Sequence, residues 1–229
     1  MDGMAGRIGG IAGGTSAEVV RRLEVGDPPV AVARATGLDA VDLIAAIARE
    51  GLGPEGSEGP GLVRGAPAHP RLAGAFSDAS MADLLPGSGR PARLALAAGL
   101  LQILDHWDAS HAAAQEADDS GERVASAYWH MIAHRREPDP GNALYWARRV
   151  GRQPILAGLA ASARPILEAH GDPGLAARLV SGGTWSLSAM IDLAAGARPG
   201  TPTAGLARRL QRAEMIHLLG ATLDAIPVA

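Results

Sequence analysis

The sequence contains no cysteine and no lysine, and its aromatic residues are limited to one phenylalanine, two tyrosines and four tryptophans. The absence of cysteine excludes disulfides, thiolate nucleophiles and every zinc or iron–sulfur site built on sulfur ligands. The absence of lysine excludes Schiff-base chemistry and the lysine of a phosphate-binding P-loop. Arginine therefore supplies all 21 basic side chains.

A long hydrophobic run and a strong net charge are also missing. The longest apolar stretch, residues 92–104, is too short to span a bilayer and includes Arg93 and Gln102. The N-terminus lacks the apolar stretch of a secretory signal. A net charge of -3 provides no general attraction to nucleic acid or to anionic membranes. We therefore expect a cytoplasmic protein that has no membrane segment and does not have nucleic acid as its partner.

The residues that are present favour a packed helical fold. Hydrophobic residues make up 47% of the chain and charged residues 20%, which is enough apolar surface for a core. Glycine and proline separate segments of helical periodicity, and no alternating β-branched or aromatic run indicates a sheet. The sequence predicts an all-α helical bundle with a small N-terminal three-helix segment. The predicted regions are a flexible N-terminus (1–15), the three-helix segment (16–50), a Gly/Pro-rich linker (51–91) and the bundle that carries the candidate site (92–229).

The three-helix segment resembles a helix-turn-helix. Small residues are followed by a turn glycine, Gly37, and then by an apolar helix that begins after Asp39. Charge opposes DNA binding, because residues 16–50 carry four arginines against six acidic residues, whereas DNA readers bring cations to phosphates. We interpret the segment as a packing or dimerisation module, so a homodimer remains open.

Residues 105–151 hold the chemistry-bearing side chains of this chain. Four of the seven histidines and five of the seven aromatic residues lie there. A helix over 92–117 would place Asp108, His111 and Gln115 on one face and turn His106 away from it. A helix over 122–136 would align His130 with His134. Since the connection between these helices is short, we expect the two polar faces to meet inside the bundle.

Three imidazoles beside carboxylates suit a divalent ion, most simply Zn²⁺. His111, His130 and His134 would be the ligands, and Asp108 and Gln115 would orient the ring nitrogens that do not bind the ion. Glu137 would be a fourth ligand or the base that activates water, with His134 as a second catalytic group. A set made of two histidines and Glu137 would suit iron instead.

Two metal-free interpretations remain open for these histidines. One is a hydrogen-bonded polar core with ordinary histidines. The other is an acid–base site in which His130 or His134 carries the proton.

The residues that follow the histidine pair favour binding of an anion. Arg135, Arg136, Tyr145 and Arg149 would reach over the site and hold an anionic substrate. The alternative is a structural corner in which these arginines pair with nearby carboxylates. The three tryptophans of the region are interpreted as packing residues in the core or at the rim of the site.

The motif itself resembles two known patterns. Residues 128–151 read YWHMIAHRREPDPGNALYWARRVG, and Asp108-Ala109-Ser110-His111 with Gln115 precede them. Together these residues resemble the signature of an uncharacterised bacterial all-α protein family, YWHxxxHRREPD…NAxYWxRRVG, which implies no established activity. A looser similarity is to DinB-like metal-binding helical bundles, which place one histidine on one helix and a His-x3-His pair on the next. That similarity implies the same ligands, although the HRREPD turn and the N-terminal helices depart from it.

These observations lead to two hypotheses. The first is a metal-dependent α-helical enzyme, of hydrolase or lyase type, that acts on a small anionic molecule. The second is a non-catalytic regulatory or ligand-sensing protein whose N-terminal segment contacts a partner or DNA.

Overall fold

The computed structural model describes residues 3–226, and within that range the chain is almost entirely helical. The only strands there are two of two residues each, which pair antiparallel with Val180 opposite Trp185. A 3-10 helix, Leu72–Phe76, lies between the fourth and fifth α-helices. The predicted all-α bundle is therefore confirmed. Its elements are α1 (Met4–Gly10), α2 (Gly13–Glu24), α3 (Pro29–Thr36), α4 (Ala40–Leu52), α5 (Asp78–Leu84), α6 (Arg90–Ile103), α7 (Trp107–Asp119), α8 (Ala125–Arg136), α9 (Pro140–Val150), α10 (Ile155–His170), α11 (Pro173–Leu179), β1 (Val180–Ser181), β2 (Thr184–Trp185), α12 (Leu187–Gly196) and α13 (Pro202–Asp224).

The N-terminal stretch contains a helix where the sequence predicted a flexible start. Met4 and Ile8 of α1 lie one helical turn apart and are both buried, so that an apolar stripe holds this glycine-rich helix against the core. The described part of the chain excludes residues 1 and 2, which belong to the predicted flexible region. It also excludes residues 227–229, which belong to the predicted bundle.

Helices α2, α3 and α4 form the predicted three-helix segment. Gly37 ends α3 with a left-handed backbone (φ 70°), and the Asp39 carboxylate accepts a hydrogen bond from the Asp42 amide at the start of α4. Every residue from Leu43 to Ala48 is buried. Because a recognition helix needs an exposed face to enter a groove, this burial favours a packing role for α4.

The predicted linker, residues 51–91, is held to the bundle by side chains that donate to its backbone carbonyls. Arg212 donates to the carbonyl oxygen of Leu52 (2.9 Å). Gln211 and Arg136 both donate to that of Gly61 (3.0 and 2.9 Å). These bonds satisfy carbonyls that an irregular buried segment would otherwise leave unpaired. A single cluster of buried apolar residues extends from Met4 to Ile226, so the N-terminal helices and the bundle share one core.

The helix predicted over 92–117 is two helices in the structure. Helix α6 ends at Ile103 and α7 begins at Trp107. Between them Asp105 adopts a left-handed backbone (φ 64°), which aspartate tolerates better than most residues. The Arg136 guanidinium stabilises this break, because it pairs with the Asp105 carboxylate and donates to the Gln102 carbonyl (2.8 Å). Asp105 therefore belongs to this turn and not to the histidine face.

Glycine at position 51 allows α4 to approach the end of α6. A β-carbon on Gly51 would overlap the backbone carbonyl of Ile103, whereas one on Gly9 meets nothing within 4 Å. We expect Gly51→Ala to lower the free energy of unfolding by about 1–3 kcal/mol, because the rigid carbonyl must move. Gly9→Ala, the matched control, should be neutral or slightly stabilising. Urea unfolding followed by circular dichroism measures both, and equal effects would contradict the close packing of α4 on α6.

No helix of the described residues has the length and the apolar character needed to cross a membrane.

Candidate metal centre

Helices α7 and α8 bring the three predicted histidine ligands together. His111 lies on α7, and His130 and His134 lie one turn apart on α8. The Nε2 atoms of His111 and His130 are 2.8 Å apart, and the three possible ligand nitrogens all lie within 4.8 Å of one another. The ring centroid of His134 lies 5.1 Å from that of His111 and 5.0 Å from that of His130. The predicted convergence of the two helix faces is confirmed.

Burial keeps the centre of this cluster uncharged. His130 is 1% exposed and His134 8% exposed. Burial, together with the neighbouring His111, His134 and Arg149, lowers the pKa of His130 to about 3. The pKa of His111 is lowered as well, first by burial and then by His134. Both rings are neutral near pH 7, so the unprotonated nitrogen that a metal ion requires is available.

Glu137 holds the ring of His134 from the outside of the cluster. It directly follows the last residue of α8, and its carboxylate accepts a hydrogen bond from Nδ1 of His134 at 3.0 Å. With Nδ1 occupied, Nε2 of His134 is the nitrogen left to face the other two rings. A carboxylate on the outer nitrogen of a histidine ligand is the usual way in which its tautomer and orientation are set. Glu137 therefore contacts the nitrogen of His134 that is turned away from the other two rings. The sequence predicted that Glu137 would be a fourth ligand or the base that activates water.

Two tryptophans enclose the histidine cluster. Trp146 of α9 stacks on His130 with 3.8 Å between ring centroids and 15° between planes. Trp107 stacks on His111 at 5.0 Å, and its Nε1 donates to the Ala133 carbonyl (2.8 Å). The Nδ1 of His130 is buried and has no hydrogen-bond partner in the part of the chain that the structure describes. The stacked Trp146 therefore fixes the ring, a role that Glu137 has for His134. The sequence predicted only packing roles for these tryptophans, and nothing in their spacing indicated which ring each one contacts.

The two residues predicted to orient the histidines lie farther out. Asp108 has a side chain that is 95% exposed and lies 3.5 Å from a nitrogen of Arg64. The amide nitrogen of Gln115 donates to Asp119 at 3.0 Å. No hydrogen bond between either residue and a histidine ring is found in the described range 3–226. Their predicted outer role is taken by Glu137 and Trp146. His106, predicted to turn away from the cluster, lies with Nε2 3.0 Å from the His69 carbonyl oxygen.

The predicted anion-binding residues fall into two groups. Arg135 and Arg136 are buried, and each forms an ion pair inside the bundle, with Glu214 and Asp105 respectively. Every nitrogen of the Arg136 guanidinium donates to a protein oxygen. Its side chain is 0% exposed, so the predicted substrate contact has no accessible donor.

Tyr145 and Arg149 lie at the rim of the cluster. Tyr145 is 47% exposed. Arg149 pairs with Asp118 at 2.7 Å, and its guanidinium lies 4.9 Å from the centre of the Trp146 ring. Arg64, which the sequence did not single out, lies over Trp107 at 4.4 Å. An exposed cation therefore covers each of the two enclosing tryptophans.

The donor set fits a small divalent ion. In a tetrahedral zinc site with Zn–N bonds of about 2.0–2.1 Å, neighbouring nitrogens lie about 3.3 Å apart, so His111 and His130 need to separate only slightly. A second group of possible ligands is His134, Glu137 and Asp139. There Asp139 already accepts hydrogen bonds from the backbone and side chain of Asn142. The three histidines are the better set, because their nitrogens have fewer competing partners.

The chain matches no protein-family model, no curated protein and no solved structure. The function is therefore inferred from the site itself.

Proposed function

We propose that this protein is a metal-dependent α-helical enzyme, a hydrolase or a lyase, that acts on a small anionic molecule. The convergence of His111, His130 and His134 on one buried point carries the proposal. Three histidine ligands with at least one further position open are the pattern of catalytic zinc sites. The similarity to DinB-like bundles, which use the same arrangement of histidines, forms part of the proposal.

The ion of this proposal is Zn²⁺. Held by three neutral imidazoles, Zn²⁺ would act as a Lewis acid that activates water for attack on a substrate. The neutral state of His130 and His111 supports a site of this kind. Iron bound by His130, His134 and Glu137 is the alternative, and it requires the Glu137 carboxylate to leave Nδ1 of His134.

The residues around the ligands have distinct roles in this proposal. Glu137 fixes the ring of His134 and, with a side chain that is 33% exposed, can exchange a proton with water. Trp107 and Trp146 keep bulk water away from two sides of the cluster. Arg149 and Tyr145 lie against Trp146 and Arg64 lies over Trp107, and in this proposal they favour a substrate that carries negative charge.

The regulatory alternative has less support from the packing. It needs the N-terminal helices to present a surface to a partner, but the central residues of α4 are buried. Small-molecule binding by the bundle is common to both hypotheses.

The test is metal analysis of protein purified without an affinity tag, followed by activity assays. We expect about one equivalent of zinc or iron per chain, and hydrolysis of a substrate in a panel of p-nitrophenyl esters and phosphates. Chelation should abolish that turnover and Zn²⁺ should restore it. Turnover that is indifferent to chelation, or protein that binds neither ion, would contradict the proposal.

Glu137→Gln tests the outer carboxylate. We expect zinc affinity to fall by about 10- to 100-fold, because the neutral amide holds the His134 ring less firmly and makes its other nitrogen a weaker ligand for the metal ion. A competition titration with a chromophoric chelator measures the change. Asp108→Asn is the matched control, since it removes one carboxylate charge from an exposed side chain of the same region and should leave the affinity unchanged. Equal effects of the two substitutions would show that general charge, and not the bond to His134, is responsible.

A further inference from the structure

A groove of about 1110 Å³ lies where the turn between α8 and α9 meets α12, α13 and the segment that follows α4. Its wall includes Pro138 and Pro140 of the turn, Ile191 of α12, and Thr201 and Pro202 at the start of α13. None of the three clustered histidines is among the described residues that line it. The groove is therefore separate from the candidate metal centre, although α8 contributes to both.

Two arginines in the groove wall have buried donor nitrogens that find no acceptor among residues 3–226. Arg135 is 5% exposed, and its Nη2 contacts Gln211 and Glu214. Within the described range its Nε and Nη1 have no hydrogen-bond partner, and the same is true of the buried Nε of Arg208, whose side chain is otherwise 37% exposed. An unpaired buried N–H bond of a cation costs free energy, so an acceptor oxygen that reached these nitrogens from the groove would be stabilising.

The charges around the groove leave an excess of positive charge. Arg208 pairs with Glu58 at 2.6 Å, and Arg135 pairs with Glu214 behind the wall. Arg209 also lines the groove and forms no ion pair within residues 3–226. The N-terminal end of the 23-residue helix α13 opens on the same wall, and its backbone dipole adds to the attraction for an anion.

The remainder of the wall is apolar. Leu62, Val63 and Ile191 line it, together with several alanines. Val63 is 57% exposed, one of the few large hydrophobic residues of the described chain that are not covered. A ligand that carries an apolar body as well as an anionic group would cover this surface.

We propose that this groove binds an amphipathic organic anion. Its acidic group lies against Arg135 and Arg209, and its apolar body lies along Val63 and Ile191. The site is independent of the metal centre and does not rest on the enzymatic proposal.

A pair of fluorescent dyes tests this inference. 8-Anilino-1-naphthalenesulfonate carries a sulfonate on an apolar body, and N-phenyl-1-naphthylamine is its uncharged counterpart. We expect the folded protein to bind the sulfonate dye in a 1:1 complex, and to bind the neutral dye at least about tenfold more weakly, because a charge-assisted contact is lost. Protein stripped of metal with a chelator should bind the sulfonate dye equally well, so that the two proposals can fail separately.

Variants locate the binding in the groove. Arg209→Gln should weaken sulfonate-dye binding by about tenfold and leave neutral-dye binding unchanged. Arg34→Gln, the same change of charge at an exposed position of α3, should change neither. Ala194→Trp, which fills the groove from α12, should abolish binding of the sulfonate dye. Circular dichroism confirms that each variant is folded. No binding, equal binding of the two dyes, or binding that is unaffected by Arg209→Gln and Ala194→Trp would overturn the proposal.

Discussion

His130→Ala should lower the affinity of the protein for Zn²⁺ by about 100- to 1000-fold. This magnitude follows from the apparent zinc-binding energies of zinc-finger peptides, about 10–16 kcal/mol, which correspond to one quarter of that energy for each of their four ligands. His130 is the central residue of the cluster, since its Nε2 contacts His111 and its ring stacks on Trp146. Zinc analysis after gel filtration and a competition titration with a chelator measure the loss. We expect the variant to emerge from the column without metal.

Two further variants make this result specific. His69→Ala removes a histidine that lies outside the cluster, and it should retain the full zinc content. His111→Gln removes a half-buried ligand from α7 and leaves a smaller cavity than His130→Ala beneath Trp146. It should lose zinc while its unfolding transition stays close to that of the parent protein. If both cluster variants retained zinc at the parental affinity, the three histidines would not form the site.

Arg135→Met should lower the free energy of unfolding by about 3–5 kcal/mol at pH 7, which is the usual cost of leaving one partner of a buried ion pair unpaired. The side chains of Arg135 and Glu214 are 1% and 0% exposed. The hydroxyl of Tyr128 also donates to Glu214 (2.9 Å), and burial raises the pKa of Tyr128 well above its usual value, so that it remains a donor. Urea unfolding followed by circular dichroism measures the change.

The double variant Arg135→Met with Glu214→Gln separates the charge from the packing. Glutamine is neutral and still accepts the hydrogen bond from Tyr128, so most of the lost stability should return. A double variant that is as unstable as Arg135→Met would show that the loss comes from packing of the guanidinium and not from an unpaired carboxylate. Zinc content should be the same in both variants, because neither residue contacts the histidine cluster.

The sequence predicted the histidine cluster more completely than the residues that surround it. The spacing of His130 and His134 is a local property of one helix, and the short connection to the helix of His111 leaves few ways for the two to pack. Partners from distant parts of the chain do not follow from spacing. Trp146 contacts His130 because α9 folds back on α8, and Arg64 reaches Trp107 from the segment that precedes α5.

Arg135 and Arg136 illustrate why the role of a charged residue is hard to predict. In the sequence they are adjacent to a histidine pair and suggest an anion site. In the structure their main partners are Glu214 and Asp105, which lie 79 and 31 positions away. Whether a guanidinium is neutralised by the protein or left for a ligand depends on these distant partners, which the residues next to it in the sequence do not reveal.

The sequence by itself determined the helical class of the fold, the ends of helices marked by glycine, proline and capping residues, and the helix faces that carry the histidines. These follow from backbone preferences and from the helical repeat, which act over a few residues. Only the tertiary structure decided that the helix over 92–117 is broken at Asp105, that Glu137 lies behind His134, and that Asp108 faces solvent. Those outcomes depend on how the helices pack. Packing brings together residues that are far apart in the chain, and it decides which polar groups are buried and which hydrogen-bond partners remain available to them.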